Sequence, residues 1–183
     1  KESIAKYGVI VPIIARPKED GTFEIIAGHR RKRACELLEL PTIPTIVRDL
    51  DDEESTIVMV DSNIQRENLL FSEKAYAYKM KLEAIKKQGK RTDLTSAQVV
   101  PKLTAREQVA KDAGVNRMEI TRYIRLTELI TDLLNMTDER KIAFNTAVEL
   151  SYLSNEEQER LLVKIENLEV IPQMAQATTL KKY

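Results

Sequence analysis

Arg106-Glu107-Gln108-Val109-Ala110-Lys111-Asp112-Ala113-Gly114-Val115-Asn116-Arg117-Met118-Glu119-Ile120-Thr121-Arg122-Tyr123-Ile124 is the stretch that decides the fold. It reads as two short helices broken by one tight turn. Helices that cross closely need a small residue at the contact, and Ala110 supplies it. The turn needs a residue at ease in a left-handed backbone, and Gly114 supplies that. Val109, Val115, Ile120 and Tyr123 fall where the two helices share a buried face. Thr104 and Asn116 carry side-chain oxygens suited to capping each helix at its N-terminus. The pattern is that of a helix-turn-helix spanning residues 104–126.

In this register a recognition helix starts at Asn116 and exposes Arg117, Met118, Thr121 and Arg122. Arginine can grip guanine O6 and N7 with two parallel bonds, and Thr or Met can touch a thymine methyl. Arg106, Lys111 and Arg125 are placed for phosphates, which position a protein without reading sequence. The candidate DNA-binding set is therefore Thr104, Arg106, Asn116, Arg117, Met118, Thr121, Arg122 and Arg125. The alternative is an ordinary helical hairpin in an all-α domain, since Ala-x-x-x-Gly alone is common.

The charge pattern favours DNA. The 183 residues carry 29 cations and 29 acids, but unevenly. Residues 1–70 hold 10 cations against 13 acids, residues 71–130 hold 13 against 7, and the remainder 6 against 9. The positive excess coincides with the helix-turn-helix. No apolar run approaches the roughly 20 residues of a membrane span, and no signal peptide is visible. A single cysteine, Cys35, excludes an internal disulfide framework and suits a reducing cytoplasm. One histidine and one cysteine make a poor zinc site. The chain begins at Lys1 without an initiator Met, as a fragment does.

Upstream, the pattern is mixed. A short helix over 2–7 stops at Gly8, a strand is expected over 9–16, and Pro17-Lys18-Glu19-Asp20-Gly21 is turn chemistry. A second strand over 22–27 can close a hairpin. A helix over 29–38 and a strand over 43–47 follow. The acidic run 51–54 then opens a helix whose apolar period covers 57–64. From Ser72 strands stop: a long helix to Gln88 precedes the helix-turn-helix, and helices are expected over 131–135, 143–152 and 154–165. Nothing is read from Pro172 and the Gln/Ala/Thr-rich tail. The expected class is α+β, with a small mixed domain over 1–70 and an all-helical DNA-binding domain over 71–183.

Two further segments carry chemistry. In Ala27-Gly28-His29-Arg30-Arg31-Lys32-Arg33 a strand ends in glycine and a cation-rich helix begins. A helix start presents unpaired N–H groups, glycine lets a ligand approach, and arginines match phosphate oxygens. A polyphosphate cradle, a solvated cationic face and a DNA-backbone contact all remain open. It is not a P-loop, because Gly-x-x-x-x-Gly-Lys-Ser/Thr is absent. Asp61-Ser62-Asn63-Ile64-Gln65-Arg66-Glu67-Asn68 ends a helix with polar groups able to reach phosphate or metal-bound water, or merely solvent.

The order of these features resembles the ParB/Spo0J/Noc family of partition (centromere-binding) proteins. Gly8 to Pro17 resembles its first box, Gly28-His29-Arg30-Arg31-Lys32-Arg33-Ala34 its Gly-Glu-Arg-Arg-x-Arg-Ala box, and Asn63-Ile64-Gln65-Arg66-Glu67 its Glu-Asn-x-Gln-Arg-Glu box. Proteins of plasmids and conjugative elements look nearest. The resemblance implies a ParB/sulfiredoxin-like N-terminal domain binding CTP with Mg2+. Gly28, His29, Arg30, Arg31, Asn63, Gln65 and Arg66 would form the nucleotide site, with Asn63 as the metal ligand. It also implies a homodimer on a palindromic double-stranded site, closing as a CTP-dependent clamp. A ParA-type ATPase would be met through an N-terminal arm missing here, and the protein would associate with nucleoid or plasmid. His29 stands where the family has Glu, and Ser62 where it has a magnesium-linked carboxylate, so any CTPase activity would be weak. The alternative is a helix-turn-helix regulator without nucleotide switching. A sulfiredoxin-like enzyme lacks its nucleophile in Ala27-Gly28-His29-Arg30, with Cys35 two helical turns away. A nuclease lacks clustered carboxylates.

Overall fold

The computed structural model describes residues 1–64, 66, 68–92 and 103–181. Its contacts divide the chain into two units, Lys1–Gln65 and Arg66–Tyr183.

In the first unit α1 (Glu2–Tyr7) buries nothing and stops at Gly8. Strands β1 (Ile13–Pro17) and β2 (Phe23–Ala27) form the expected antiparallel hairpin. Its loop is closed by Asp20, whose carboxylate accepts from the Thr22 N–H at 2.9 Å and hydroxyl at 2.5 Å. After α2 (His29–Glu36), β3 (Thr45–Val47) returns parallel to β1, giving the order β2-β1-β3. The first strand starts at Ile13, not at Val9. Pro12 has no N–H for a ladder, and the Val11 and Pro12 carbonyls accept from Arg31 instead. Ile10 and Val11 consequently stay exposed.

The core of this unit is Ile13, Ala15, Ile26, Ala27, Ala34, Cys35 and Val60. Cys35 is thus packing material, as a small apolar side chain on the inner face of α2. Helix α3 (Asp52–Ile64) packs on β2 and begins earlier than its apolar period. A reciprocal box explains the early start: Glu54 N–H donates to Asp51 and Asp51 N–H to Glu54, at 2.8 and 3.1 Å. Arg16 joins the hairpin to this helix start by pairing with Glu24 and Asp52, both at 2.7 Å. The hydrogen bond that the guanidinium donates to Asp52, then the one it donates to Glu24, raises its pKa above the ordinary value.

Among its described residues the second unit has helices and no strand. Helix α4 (Phe71–Thr92) is a 22-residue spine. Helices α5 (Ala105–Ala113) and α6 (Arg117–Arg125) pack on it, followed by a 3-10 turn (Leu126–Glu128). Then come α7 (Thr131–Asp138), α8 (Phe144–Leu150), α9 (Asn155–Leu168) and α10 (Met174–Leu180). The last helix was unread in the sequence. It is capped reciprocally by Gln173 and Gln176, and it seats Ala177, fully buried, against α8.

The core is Leu126, Leu129, Leu133, Leu134, Ile142, Ala147, Val148, Leu150 and Ile165, with Ala75 of α4. A ring cluster of Phe71, Tyr78, Tyr123 and Phe144 joins α4, α6 and α8, at centroid distances of 4.8 to 6.5 Å. Two buried polar groups are satisfied in place, as a folded core requires. Gln158 accepts from Ile130 N–H at 2.8 Å and donates to the carbonyls of Glu128 and Leu153. Lys81, 2% exposed, pairs with Asp112 of α5 at 2.9 Å. Ser72 binds Asp138 through both its N–H and its hydroxyl, so the end of α7 caps the start of α4.

Candidate nucleic-acid interface and nucleotide turn

The helix-turn-helix is built locally. Thr104 and Glu107 form a capping box at the start of α5, with bonds of 2.8 Å from the Thr104 N–H and hydroxyl to the carboxylate. The backbone bond from Thr104, then its hydroxyl, holds the Glu107 carboxyl below the ordinary glutamate range. Gly114 ends α5 in the left-handed region, φ 67 and ψ 25, its N–H reaching the Ala110 and Lys111 carbonyls. Val115 N–H also donates to Ala110, which closes the turn. Asn116 caps α6 by accepting from Glu119 N–H at 2.8 Å. Val109 and Ile120 are fully buried and Ala110 nearly so, the contact the turn residues were expected to make. Burying Ile120 alone is worth about 1.5–3 kcal/mol.

The outward face of α6 opens with Arg117 and Met118, 57% and 64% exposed. Arg117 reaches Glu107 only at 3.8 Å. Arg106 and Lys111 are exposed on α5, and their side chains make no ion pair or hydrogen bond with the described residues. Thr121 is half-buried, and its hydroxyl donates to the Arg117 carbonyl at 3.0 Å. Arg122 is half-buried too. It donates to Asn145 of α8, and its guanidinium lies 5.4 Å from the Phe144 ring centre.

Arg125, expected among the phosphate contacts, is used inside the unit. Its Nε donates to the Ser151 hydroxyl at 3.1 Å, another nitrogen to the Ser151 carbonyl, and its guanidinium stacks 4.1 Å from the Tyr152 ring centre. That placement takes it out of the set facing outward, and it ties the end of α6 to the end of α8. Thr104 is likewise committed to its cap. Asn145 and Ser151 lie 23 and 26 residues from the arginines they hold. No local pattern announces such partners.

In the first unit Gly28 sits at φ 107 and ψ 19 as the N-cap of α2. A Cβ there would meet the Ile13 side chain at 2.6 Å and its Cα at 3.2 Å. The glycine therefore serves close approach between α2 and β1. The helix start has no side-chain cap and no acid in its first turn, so the His29 and Arg30 N–H groups, which have no intrahelical partner, carry partial positive charge. His29 and Arg30 are exposed without partners among the described residues. Arg31 is different: its guanidinium donates to the Val11 carbonyl at 2.6 Å and to that of Pro12. It pins the lead-in to β1 beneath the turn.

Asn63 lies half-buried in the last turn of α3 and is not hydrogen-bonded to the Gly28 turn. Arg66 is exposed and is grouped with the helical unit. Gln65 lies outside the described residues. Among the described residues no three His, Cys, Asp or Glu side chains cluster to hold a metal. The protein groups fit an anion at the α2 start; they do not make a metal site by themselves, and a magnesium ion would depend on phosphate oxygens and water for its shell.

The ParB N-terminal domain family matches residues 1–64, and the ParB HTH domain family matches residues 97–171. The chain belongs to the ParB family. This ParB-family chain is 35% identical over 146 residues to the "Probable chromosome 1-partitioning protein ParB" of Deinococcus radiodurans, covering 80% of itself and 44% of that protein. It is 34% identical over 157 residues to the nucleoid occlusion protein of Listeria monocytogenes, covering 86% of itself and 49% of the relative. It thus spans about half the length of the curated relatives it matches.

Among solved structures, its fold is that of the C-terminally truncated chromosome-partitioning protein ParB from Caulobacter crescentus complexed to the centromeric parS site. The TM-score is 0.62 at 23% identity, over 99% of this chain and 86% of that one. The same Caulobacter protein complexed with CTP-gamma-S aligns at 27% identity, over 89% of this chain and 81% of that one, with a TM-score of 0.35. Among the described residues no helix is long and apolar enough to cross a membrane.

Proposed function

We propose that this chain is the DNA-binding core of a partition protein, which reads a palindromic duplex through α5 and α6 as a homodimer. The observation that carries the reading is the outward start of α6. Arg117 and Met118 project there from a helix locked by Gly114 and Asn116, flanked on α5 by the exposed Arg106 and Lys111, whose side chains pair with none of the described residues. Arg117 and Arg122 are the base-reading candidates, Met118 and Thr121 the methyl contacts, and Arg106 and Lys111 the phosphate contacts. Asn116 keeps its amide NH2 for DNA while its oxygen caps α6. Arg125 and Thr104 act from behind, by fixing the two helices.

The Gly28 turn is the nucleotide side of the same proposal. Its uncapped N–H groups, with His29 and Arg30, would take the phosphates of CTP, and Arg31 would hold the turn in shape rather than grip phosphate. Asn63 would offer one neutral carbonyl to Mg2+. In this reading CTP and DNA together close a clamp, and a ParA-type ATPase is the partner class. The reading without nucleotide switching is favoured by one observation: Arg31, a family phosphate candidate, spends its guanidinium on two backbone carbonyls.

The test is fluorescence titration of palindromic and random duplexes, paired with calorimetry of CTP, ATP and GTP with and without duplex. Arg122→Ala is expected to weaken specific binding by about 1–3 kcal/mol and leave random DNA nearly unchanged. Equal losses on both duplexes would remove its base-reading role. CTP heat in preference to ATP and GTP supports the switch, and no heat with any nucleotide leaves the plain regulator.

A further inference from the structure

Arg140 sits in the turn between α7 and α8 with φ 61, one of three non-glycine residues with positive φ among the described residues. The other two, Glu39 and Glu169, are acids. The turn is fixed by its backbone. Arg140 N–H donates to Thr137, and Lys141 and Ile142 N–H groups both donate to Met136, at 2.9 to 3.1 Å. Ile142, 1% exposed, anchors it in the core. A left-handed backbone is unfavourable for any residue with a Cβ, and glycine would hold this turn without that cost. A long cation kept at such a position points to a use outside the fold.

The surroundings say what use. Arg140 is exposed, and its side chain makes no ion pair or hydrogen bond with the described residues. The neighbouring acid, Glu139, is neutralised by Lys141 at 2.6 Å, so Arg140 is the unspent charge of the turn. The turn runs directly into α8, whose first two residues touch the recognition helix. Phe144 lies against the Arg122 guanidinium, and Asn145 accepts its hydrogen bond. The turn therefore adjoins the face of α6 that carries Arg122.

We propose that Arg140 contacts a DNA backbone phosphate and extends the interface of α6 onto the α7–α8 turn. The contact carries no base information and positions the recognition helix from its flank. This inference rests on the DNA-binding reading above. One phosphate contact adds about 0.9 to the slope of log affinity against log salt, roughly eightfold in affinity at 0.1 M relative to 1 M.

The experiment compares wild type, Arg140→Gly and Arg140→Lys on palindromic and random duplexes from 0.05 to about 0.5 M salt, the range over which counterion release dominates, with thermal melts alongside. Arg140→Gly is expected to hold or raise Tm, to lower the salt slope by about one, and to weaken both duplexes by the same factor. Arg140→Lys keeps the charge and is expected to keep the slope. Duplex binding with an unchanged slope in Arg140→Gly overturns this inference alone. A fall in Tm also overturns it, because the arginine would then serve the fold. Absence of salt-dependent duplex binding by wild type removes the DNA-binding reading itself, and this inference with it.

Discussion

Replacing Gly28 by alanine tests how the first unit is held together. The residue sits at φ 107, and a Cβ would lie 2.6 Å from Ile13 Cγ2, 3.0 Å from its Cβ and 3.2 Å from its Cα. The backbone term for an L-residue with positive φ is about 1–2 kcal/mol. The clash adds to it, because Ile13 is β-branched, 3% exposed and part of β1, so it cannot swing aside. Overpacking of this kind costs about 1–3 kcal/mol. The sum is about 2–5 kcal/mol, a large share of the 5–15 kcal/mol typical of a domain. Gly114→Ala is the control. Its φ is 67, but a Cβ there meets nothing within 4 Å, so only the backbone term applies.

The assay is urea unfolding of the full chain, with hydrogen exchange read separately on peptides covering residues 13–36 and 105–125. Gly28→Ala is expected to loosen the first set and spare the second, and Gly114→Ala the reverse. Adding Ile13→Ala to Gly28→Ala removes the clashing methyl, so the pair should cost less than the sum. Equal penalties for the two glycines, or strict additivity with Ile13→Ala, would refute the close-approach argument.

Arg125→Ala is expected to destabilise the helical unit by about 1–3 kcal/mol in denaturant titrations, since it strips partners from Ser151 and removes the Tyr152 stack. Arg117→Ala, exposed and weakly paired, should leave stability within about 0.5 kcal/mol while weakening DNA binding in the same titrations. Arg30→Ala is expected to abolish CTP heat in calorimetry and leave duplex affinity largely intact; a loss confined to salt-dependent DNA binding would instead make the turn a backbone contact. Acid titration followed by circular dichroism checks the caps. Glu107 and Glu157 are held below the ordinary glutamate range, chiefly by the backbone N–H groups of Thr104 and Ser154. Their stabilisation is present above the unfolded glutamate pKa and is lost as pH falls through the lower folded values. Glu107→Gln with Glu157→Gln should flatten that acid limb.

The helix-turn-helix was legible because its constraints are local. Ala110, Gly114, Asn116 and the spacing of Val109 and Ile120 act within 20 residues, and capping and left-handed turns follow from side-chain chemistry alone. The hairpin was legible for the same reason, through Pro17 to Gly21. The strand misplaced at Val9 shows the limit. Its β-branched run suits a strand, but Arg31, 20 residues downstream, takes the carbonyls a ladder would need. Helix α10 went unread because Ala177 becomes a core residue only once α8 is beneath it.

The sequence by itself determined most of the elements, the α+β class, the family and the two helices of the helix-turn-helix, because each rests on contacts between near neighbours. Only the tertiary structure decided how the cations divide. Arg125, Arg31 and Lys81 turn inward to carbonyls, a hydroxyl and a carboxylate, while Arg117, Arg106, Lys111, Arg30 and Arg140 stay outside. An arginine carries the same five donors in either place. Whether they are spent on the fold or left for a ligand depends on acceptors brought alongside by distant parts of the chain.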